Sequence, residues 1–192
     1  ICALIAKIPI AHISGGEITE GAIDESIRHS ITKMSSIHFV AAEEYKRRVI
    51  QLGEDKNKVF NVGGLGADIV KHSDLFTKEY LEDFLNFKFK SKNILITFHP
   101  ETLDLNYTEC QIDNLLFSLG NFDNIGFIFT MPNADNRSKN IDSKIQRFCL
   151  ENKNATYIKS LGQKKYYSCL NIVDGVVGNS SSGICEAPSF KI

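Results

Sequence analysis

Short apolar runs that alternate with amphipathic segments predict an α/β fold built on parallel sheets. Strand-like runs stand at 8–13, 37–40, 59–62, 93–98, 125–130, 155–158 and 175–177, with helical patterns between them. Turn and polar residues close most of these runs: Gly15-Gly16, Gly63-Gly64, His99-Pro100, Pro132-Asn133 and the serine-rich turn 179–183. A composition shift between 73 and 91, where Phe76, Tyr80, Phe84, Phe87 and Phe89 mix with lysines, separates two such series. The expected organisation is a doubly wound unit over 1–72, a helical linker over 73–90 and a second doubly wound unit over 91–192.

In order, the run at 8–13 (Ile8, Ile10, Ile13) ends on the glycine pair, and an acidic loop with Glu17 and Glu20 follows. Ile23, Ile27, Ile31 and Met34 recur at helical spacing and predict a helix over 23–34 with those residues as its core face. Asp24 and Arg28, four apart on a neighbouring face, are placed to pair or to converge on one ligand. A helix over 42–52 follows the strand at 37–40, with Gly53 as its C-terminal stop. A strand at 59–62 and a short helix near 67–71 end the first series.

In the linker, Leu81, Phe84 and Leu85 predict a helix. The second series opens with a buried-type strand, NILITF, ending on His99. A helix over 105–119 and a strand over 125–130 come next. The helix over 138–152 presents Ile141, Ile145, Phe148 and Leu150 as its apolar side. A helix over 163–170 and a helix beginning at Gly183 complete the pattern.

Hydrophobic content of 43% and 23% charged residues describe a globular chain able to bury a core. A net charge of -1 argues against a nucleic-acid surface built on bulk positive charge. No apolar run approaches the roughly 18 residues needed to cross a bilayer, so no membrane association is expected. Five scattered cysteines without C-x-x-C pairing fit reduced thiols in the cytosol better than a disulfide frame or a zinc site. The chain opens inside an apolar segment without an initiator Met and stops at Ile192, which reads as an internal fragment of a longer protein.

Ligands of open α/β sheets bind beyond the carboxyl ends of strands, so His99, Asn133 and the 180–183 turn form a candidate pocket rim. The serine-rich turn before a helix start suits an anion, through N–H groups, hydroxyls and the helix dipole. Simple N-capping by serine explains the same residues. His99 is a candidate for stabilising a leaving group, since histidine can be cationic near neutral pH. A structural histidine at a strand end is the competing reading. Glu186 could accept hydroxyl protons from a ribose, or be a solvated glutamate. His12 and His29 read as structural. Asp24 and Glu25 are adjacent, so they point about 100° apart on a helix and one of them meets solvent or caps.

The segments HISGGE, IDESIRHSITK, FHPET, MPNAD and NSSSGICEAP occur in that order along nearly the whole chain. Their order and separations resemble the hydrolysing UDP-N-acetylglucosamine 2-epimerases that supply N-acetylmannosamine for bacterial sialic acids. Close relatives in that family act on UDP-N,N'-diacetylbacillosamine for legionaminic acid. The resemblance implies a GT-B-like fold of two Rossmann-like domains with the active site between them, both domains being incomplete in a fragment of this length. It implies elimination of UDP across C1–C2 to a 2-acetamidoglucal, then addition of water to release the free 2-epimerised sugar. It also implies a UDP-sugar substrate, a homodimer in the full-length protein, no NAD and no essential metal.

Carried over by position, Asp24 and Arg28 match the helix motif whose acidic residue is catalytic. His99 matches a diphosphate-contacting histidine and Asn133 a nucleotide-contacting asparagine. Ser180, Ser181 and Gly183 match the diphosphate turn, Glu186 the ribose carboxylate, and Ser160 and Leu161 a loop offering backbone groups to uracil. Ser14 departs from the pattern, because many relatives carry glutamate there. Glu17, the nearest carboxylate, is assigned that role instead. A second catalytic acid, a phosphate-binding loop and a nucleotide-contacting arginine have no counterpart in these residues, so the segment alone is expected to be inactive. A non-hydrolysing UDP-sugar 2-epimerase, a GT-B glycosyltransferase and a non-catalytic nucleotide-binding module are the alternatives.

Overall fold

The computed structural model describes residues 1–19, 23–64, 66, 74–99, 105–131 and 139–192. The helix expected near 67–71 and Asn133 lie outside the described residues. The chain divides into two compact units, 1–68 and 69–192. No helix among the described residues is long and apolar enough to cross a membrane.

The first unit holds a three-stranded parallel sheet in the order β1 (Ala11–Ile13), β2 (Ile37–Val40), β3 (Val59–Asn61). A single helical turn, α1 (Cys2–Ile5), precedes it, and α2 (Asp24–Met34) and α3 (Glu43–Gln51) connect its strands. His12 pairs with His38 in register, and His38 with Val59. On the α3 side the core is small, with Val40, Val49 and Val59 buried together.

Two apolar expectations are corrected here. Ile23 and Ile27 of α2 are 58% and 52% exposed, whereas Thr32 is fully buried. The inward stripe of α2 is the polar set Glu25, Arg28, His29 and Thr32, itself spaced by three and four. Strand β1 likewise starts at Ala11, later than 8–13, and buries His12 while Ile13 stays exposed. Polar contacts, not the isoleucines, set the rotation of both elements.

The second unit is a four-stranded parallel sheet in the order β6-β5-β4-β7. Its strands are β4 (Lys92–Thr97), β5 (Ile125–Thr130), β6 (Ala155–Ile158) and β7 (Gly175–Gly178). Its helices are α4 (Lys78–Leu85), α5 (Leu105–Leu119), α6 (Lys139–Glu151), α7 (Gly162–Leu170) and the one-turn α8 (Ser182–Cys185). Alternation along the strands feeds two cores. Leu95 and Ile128 face one with Leu81, Tyr167 and Leu170, while Ile96, Phe127 and Phe129 face the other with Ile112, Ile141 and Ile145. A doubly covered parallel sheet needs such near-continuous apolar strands.

The segment expected as a linker does form a helix, capped by Thr77, whose hydroxyl accepts the Tyr80 N–H at 3.3 Å. Its Leu81 and Leu85, with Phe87 and Phe89, are part of the second unit's core, so α4 is a wall of that unit. In α6 the apolar side is Ile141, Ile145 and Phe148 with Cys149 packed against it. Leu150, expected there, is 84% exposed. The reason is angular: position 149 is four after 145, whereas 150 turns a further 100° away.

Candidate functional site

The helical register of α2 builds the first constellation. Its inward stripe meets the loop after β1, and there Arg28 and Glu25 hold the main chain. Arg28 Nη1 donates to the Glu17 carbonyl at 3.0 Å and to Glu25 Oε2 at 3.3 Å, and Nη2 donates to Thr19 Oγ1 at 3.1 Å. Glu25 Oε2 also accepts the Thr19 N–H at 3.0 Å, and Oε1 pairs with His29 Nε2 at 3.0 Å. The Thr19 N–H is the main cause holding the Glu25 carboxyl below its ordinary range, against some desolvation and with help from His29 and Arg28.

The expected Asp24–Arg28 pairing is therefore replaced by Glu25–Arg28. Asp24, in the first turn of α2, is exposed. Adjacent residues cannot share a face, and the loop takes Glu25. Glu17 is half-buried with its carbonyl engaged. Ser14, at the departure from the family pattern, sits at φ 63° with its N–H on the Phe39 carbonyl. Gly16 must be glycine: φ is 80°, and a Cβ would collide with the Tyr45 carbonyl.

Behind the loop lies a buried polar chain. His12 Nδ1 meets Thr32 Oγ1 at 3.1 Å, and the His12 and His38 rings approach edge to face at 6.4 Å. His38, 1% exposed, reaches Glu54 at 3.2 Å, and Glu54 pairs with Lys33 at 2.6 Å. Burial pushes the His12 imidazole below its ordinary 6.5, and His38 and Arg28 push the same way. These contacts tie His12 into the fold of the first unit.

The second constellation is at the carboxyl edge of the larger sheet, where β4 and β7 lie side by side. A pocket of 420 Å³ opens there between Thr97, Tyr166, Asn179 and the turn of Ser180, Ser181 and Gly183. The strand end and the turn are clasped by one residue. Asn179 Oδ1 accepts the His99 N–H at 2.7 Å, and Asn179 Nδ2 donates to the His99 carbonyl at 2.8 Å. Gly178 permits the close approach, at φ 141° with the Thr97 carbonyl where a Cβ would stand.

Burial lowers the His99 pKa from its ordinary 6.5, favouring the neutral imidazole. The helix after the turn, expected to start at Gly183, starts at Ser182 and runs only to Cys185. With α8 a single turn, a helix dipole contributes little, and the donors are the turn's own groups. Among the described residues, the Ser180 and Ser181 N–H groups have no hydrogen-bond acceptor.

Glu186 caps α8, its N–H on the Ser182 carbonyl at 3.0 Å. Its carboxylate is near enough to add to the burial that raises the Tyr166 pKa, while hydrogen bonds with Ser182 and Thr97 pull that pKa down. Ser160 Oγ accepts the Gly162 N–H at 3.3 Å, and Leu161 is buried. Among the described residues no group of three His, Cys, Asp or Glu side chains is placed to hold a metal ion.

The sequence profile of the family described as UDP-N-acetylglucosamine 2-epimerase matches residues 1–192. The chain belongs to that family. Two relatives carry the likeness over its whole length. The Campylobacter jejuni subsp. jejuni protein named GDP/UDP-N,N'-diacetylbacillosamine 2-epimerase (hydrolyzing) is 45% identical over 189 residues, covering 98% of this chain and 49% of that protein. The Escherichia coli polysialic acid biosynthesis protein P7 is 44% identical, covering 100% of this chain and 49% of that one.

Among solved structures, the S. aureus MnaA-UDP co-structure superposes with a TM-score of 0.76 at 17% identity, covering 98% of this chain and 50% of that one. That likeness shows the α/β, GT-B-like fold class. This member of the UDP-N-acetylglucosamine 2-epimerase family spans about half the length of the curated relatives it matches.

Each unit thus brings together part of the expected set. Arg28 meets the Glu17 loop in one. Ser180, Ser181 and Gly183 line the pocket in the other, with His99 clasped to it and Glu186 nearby. Asp24 stands apart from the Arg28 contacts. Tyr166 was missed as a candidate, and Glu25 was weighed against Asp24 but not placed on the loop. The signal for Tyr166 was the pair Tyr166-Tyr167 on one helix: with Tyr167 in the core, the other ring must face elsewhere.

Proposed function

We propose that this chain carries the nucleotide pocket and part of the sugar-side machinery of a hydrolysing UDP-sugar 2-epimerase. The substrate is UDP-N-acetylglucosamine or UDP-N,N'-diacetylbacillosamine, and the products are UDP and the free 2-epimerised amino sugar. The observation that carries the reading is the pocket at the β4–β7 edge, where an open serine turn and an aromatic ring converge beside the strand end that Asn179 clasps at His99. The hydrolysing activity in the name of the Campylobacter relative supports the reaction class. The E. coli relative's name supports a place in sialic acid formation.

In this reading the Ser180 and Ser181 N–H groups and hydroxyls receive the diphosphate, and His99 donates an N–H to it. Glu186 accepts ribose hydroxyl protons, Asn133 contacts the nucleotide, and Ser160 and Leu161 present main chain to the base. A carboxylate, Asp24 with Glu17 as the second candidate, removes the sugar C2 proton. The C2–H electron pair becomes the C1=C2 double bond as the C1–O bond breaks, and UDP leaves with the C1–O electron pair on its diphosphate oxygen. Water then adds, its oxygen to C1 and a proton to C2 on the opposite face. Arg28 keeps the acidic loop in place during both steps. The diphosphate dianion raises the pKa of a neighbouring imidazole, so bound UDP favours the charged form of His99. Five cysteines outside any disulfide support a reducing compartment, the cytoplasm.

The deciding experiment is product analysis, in a polypeptide of the relatives' full length carrying this chain, with both UDP-sugars and no acceptor. UDP and free amino sugar in equal amounts are expected. An epimerised UDP-sugar without free sugar, or no turnover until an acceptor is added, would overturn the reading. His99→Ala should weaken both turnover and UDP binding.

A further inference from the structure

The 180–183 turn is weakly built for a ligand site. Its helix is one turn long, and its internal bonds are few: Ser182 N–H to Ser180 Oγ at 3.3 Å and Gly183 N–H to the Ser180 carbonyl at 3.2 Å. Yet one contact reaches it from a rigid element. Helix α7 is anchored by buried Tyr167, Cys169 and Leu170, and from it the Tyr166 hydroxyl donates to Ser182 Oγ at 2.8 Å. Ser182 stands between Ser181 and Gly183, which line the pocket, and its hydroxyl is turned onto Tyr166.

We propose that Tyr166 is a positioning residue for the anion-binding turn, holding Ser180, Ser181 and their main-chain donors in place through the Ser182 hydroxyl. The inference rests on the assignment of this pocket to a nucleoside diphosphate. Tyr166 lines the pocket together with Thr97, whose hydroxyl shares a 2.6 Å contact with Thr130 across the ends of β4 and β5. Preorganised donors gain affinity because their ordering cost is met before the ligand arrives. Burial beside the Glu186 carboxylate keeps the phenol protonated and therefore a donor.

Tyr166→Phe keeps the ring and removes only the hydroxyl, and Ser182→Ala removes its acceptor. Ligand-observed NMR titrations of the chain with UDP and with uridine separate the anion from the base, and they read Kd values into the millimolar range. The wild-type chain should bind UDP more tightly than uridine. Each variant should lose about fivefold in UDP affinity, the worth of one net hydrogen bond, with uridine affinity unchanged. The double variant should lose no more than either single one, because both act on one contact. Unchanged UDP binding in both variants would overturn the inference while leaving the pocket assignment intact. Equal losses for UDP and uridine would also overturn it, since the hydroxyl would then serve the fold or the base. A wild-type chain that does not prefer UDP would bring down the inference and the pocket assignment together.

Discussion

The two units solve the same problem, a parallel sheet with a polar edge, in opposite ways. In the larger unit apolar side chains cover both faces of the sheet, and the polar groups are concentrated at the β4–β7 edge around a pocket. In the smaller unit the polar groups lie inside the fold. Arg28, Glu25, His12, Thr32, His38 and Glu54 bond one another or the main chain, and the apolar core is small. Polar groups bonded to one another fix a conformation, whereas open donors bind ligands. The first unit's helix α2 therefore reads as a brace for a loop, and the second unit's turn as a receptor.

The largest expected effect tests the receptor. Gly178→Ala would place a Cβ against the Thr97 carbonyl at a positive φ, which should cost about 3 kcal/mol and abolish UDP binding. Gly175→Ala, at the open start of the same strand, should change stability by less than about 0.5 kcal/mol. Denaturant midpoints of the two variants, followed by a probe of the larger unit, check the pair.

Asp24 and Glu25 sharpen the brace. In a full-length enzyme Asp24→Asn should lower turnover about 100-fold or more with the melting temperature unchanged, as expected for loss of a general base. Glu25→Gln should instead lower the melting temperature and loosen the 17–19 loop, measured by amide exchange at Thr19. Reversed outcomes would exchange their roles.

A smaller effect comes from pH. The His12 pKa is lower folded than its ordinary 6.5, so below 6.5 the unfolded chain takes up a proton that the folded chain refuses. Stability present above 6.5 should be lost as pH falls from 6.5 toward the depressed value. Urea midpoints between pH 7.5 and 5 should show this loss in the wild type and a flatter profile in His12→Asn. Glu54 adds a second loss below about 4.5. Burial opposes its ionisation, but Lys33 and His38 together hold its carboxyl below the ordinary value.

The smallest effect is a null comparison between helices of the two units. Ile27→Gln and Leu150→Gln should each shift stability by less than about 0.5 kcal/mol, while Ile145→Ala should cost about 2–5 kcal/mol. A large loss at Ile27 would restore the isoleucine face as the buried side of α2.

How far the sequence reached follows from this division. The bounds of α5 and β5 coincide with the expected 105–119 and 125–130, because each carries a complete apolar period against a fully covered sheet. The family motifs were equally legible, since turn chemistry and strand ends are local. The face of α2 was not. Its isoleucines have the right spacing, but hydrogen bonds from Glu25, Arg28 and Thr32 to the β1 strand and loop fix the rotation, and no local pattern encodes those partners. Leu150 failed for a simpler reason, a one-residue error in helical phase.

By itself the sequence determined the fold class, the order of elements and the serine turn as a candidate anion site, all of which depend on period, turn residues and short-range order. The tertiary structure decided what depends on distant partners. It gave the loop to Glu25, lowered the His99 pKa by burial, and carried α4 into the second core. It also brought Tyr166 from one helix onto Ser182 of another segment, 16 residues away, where their hydroxyls meet. Periodicity places a side chain on a face, and only packing chooses what that face meets.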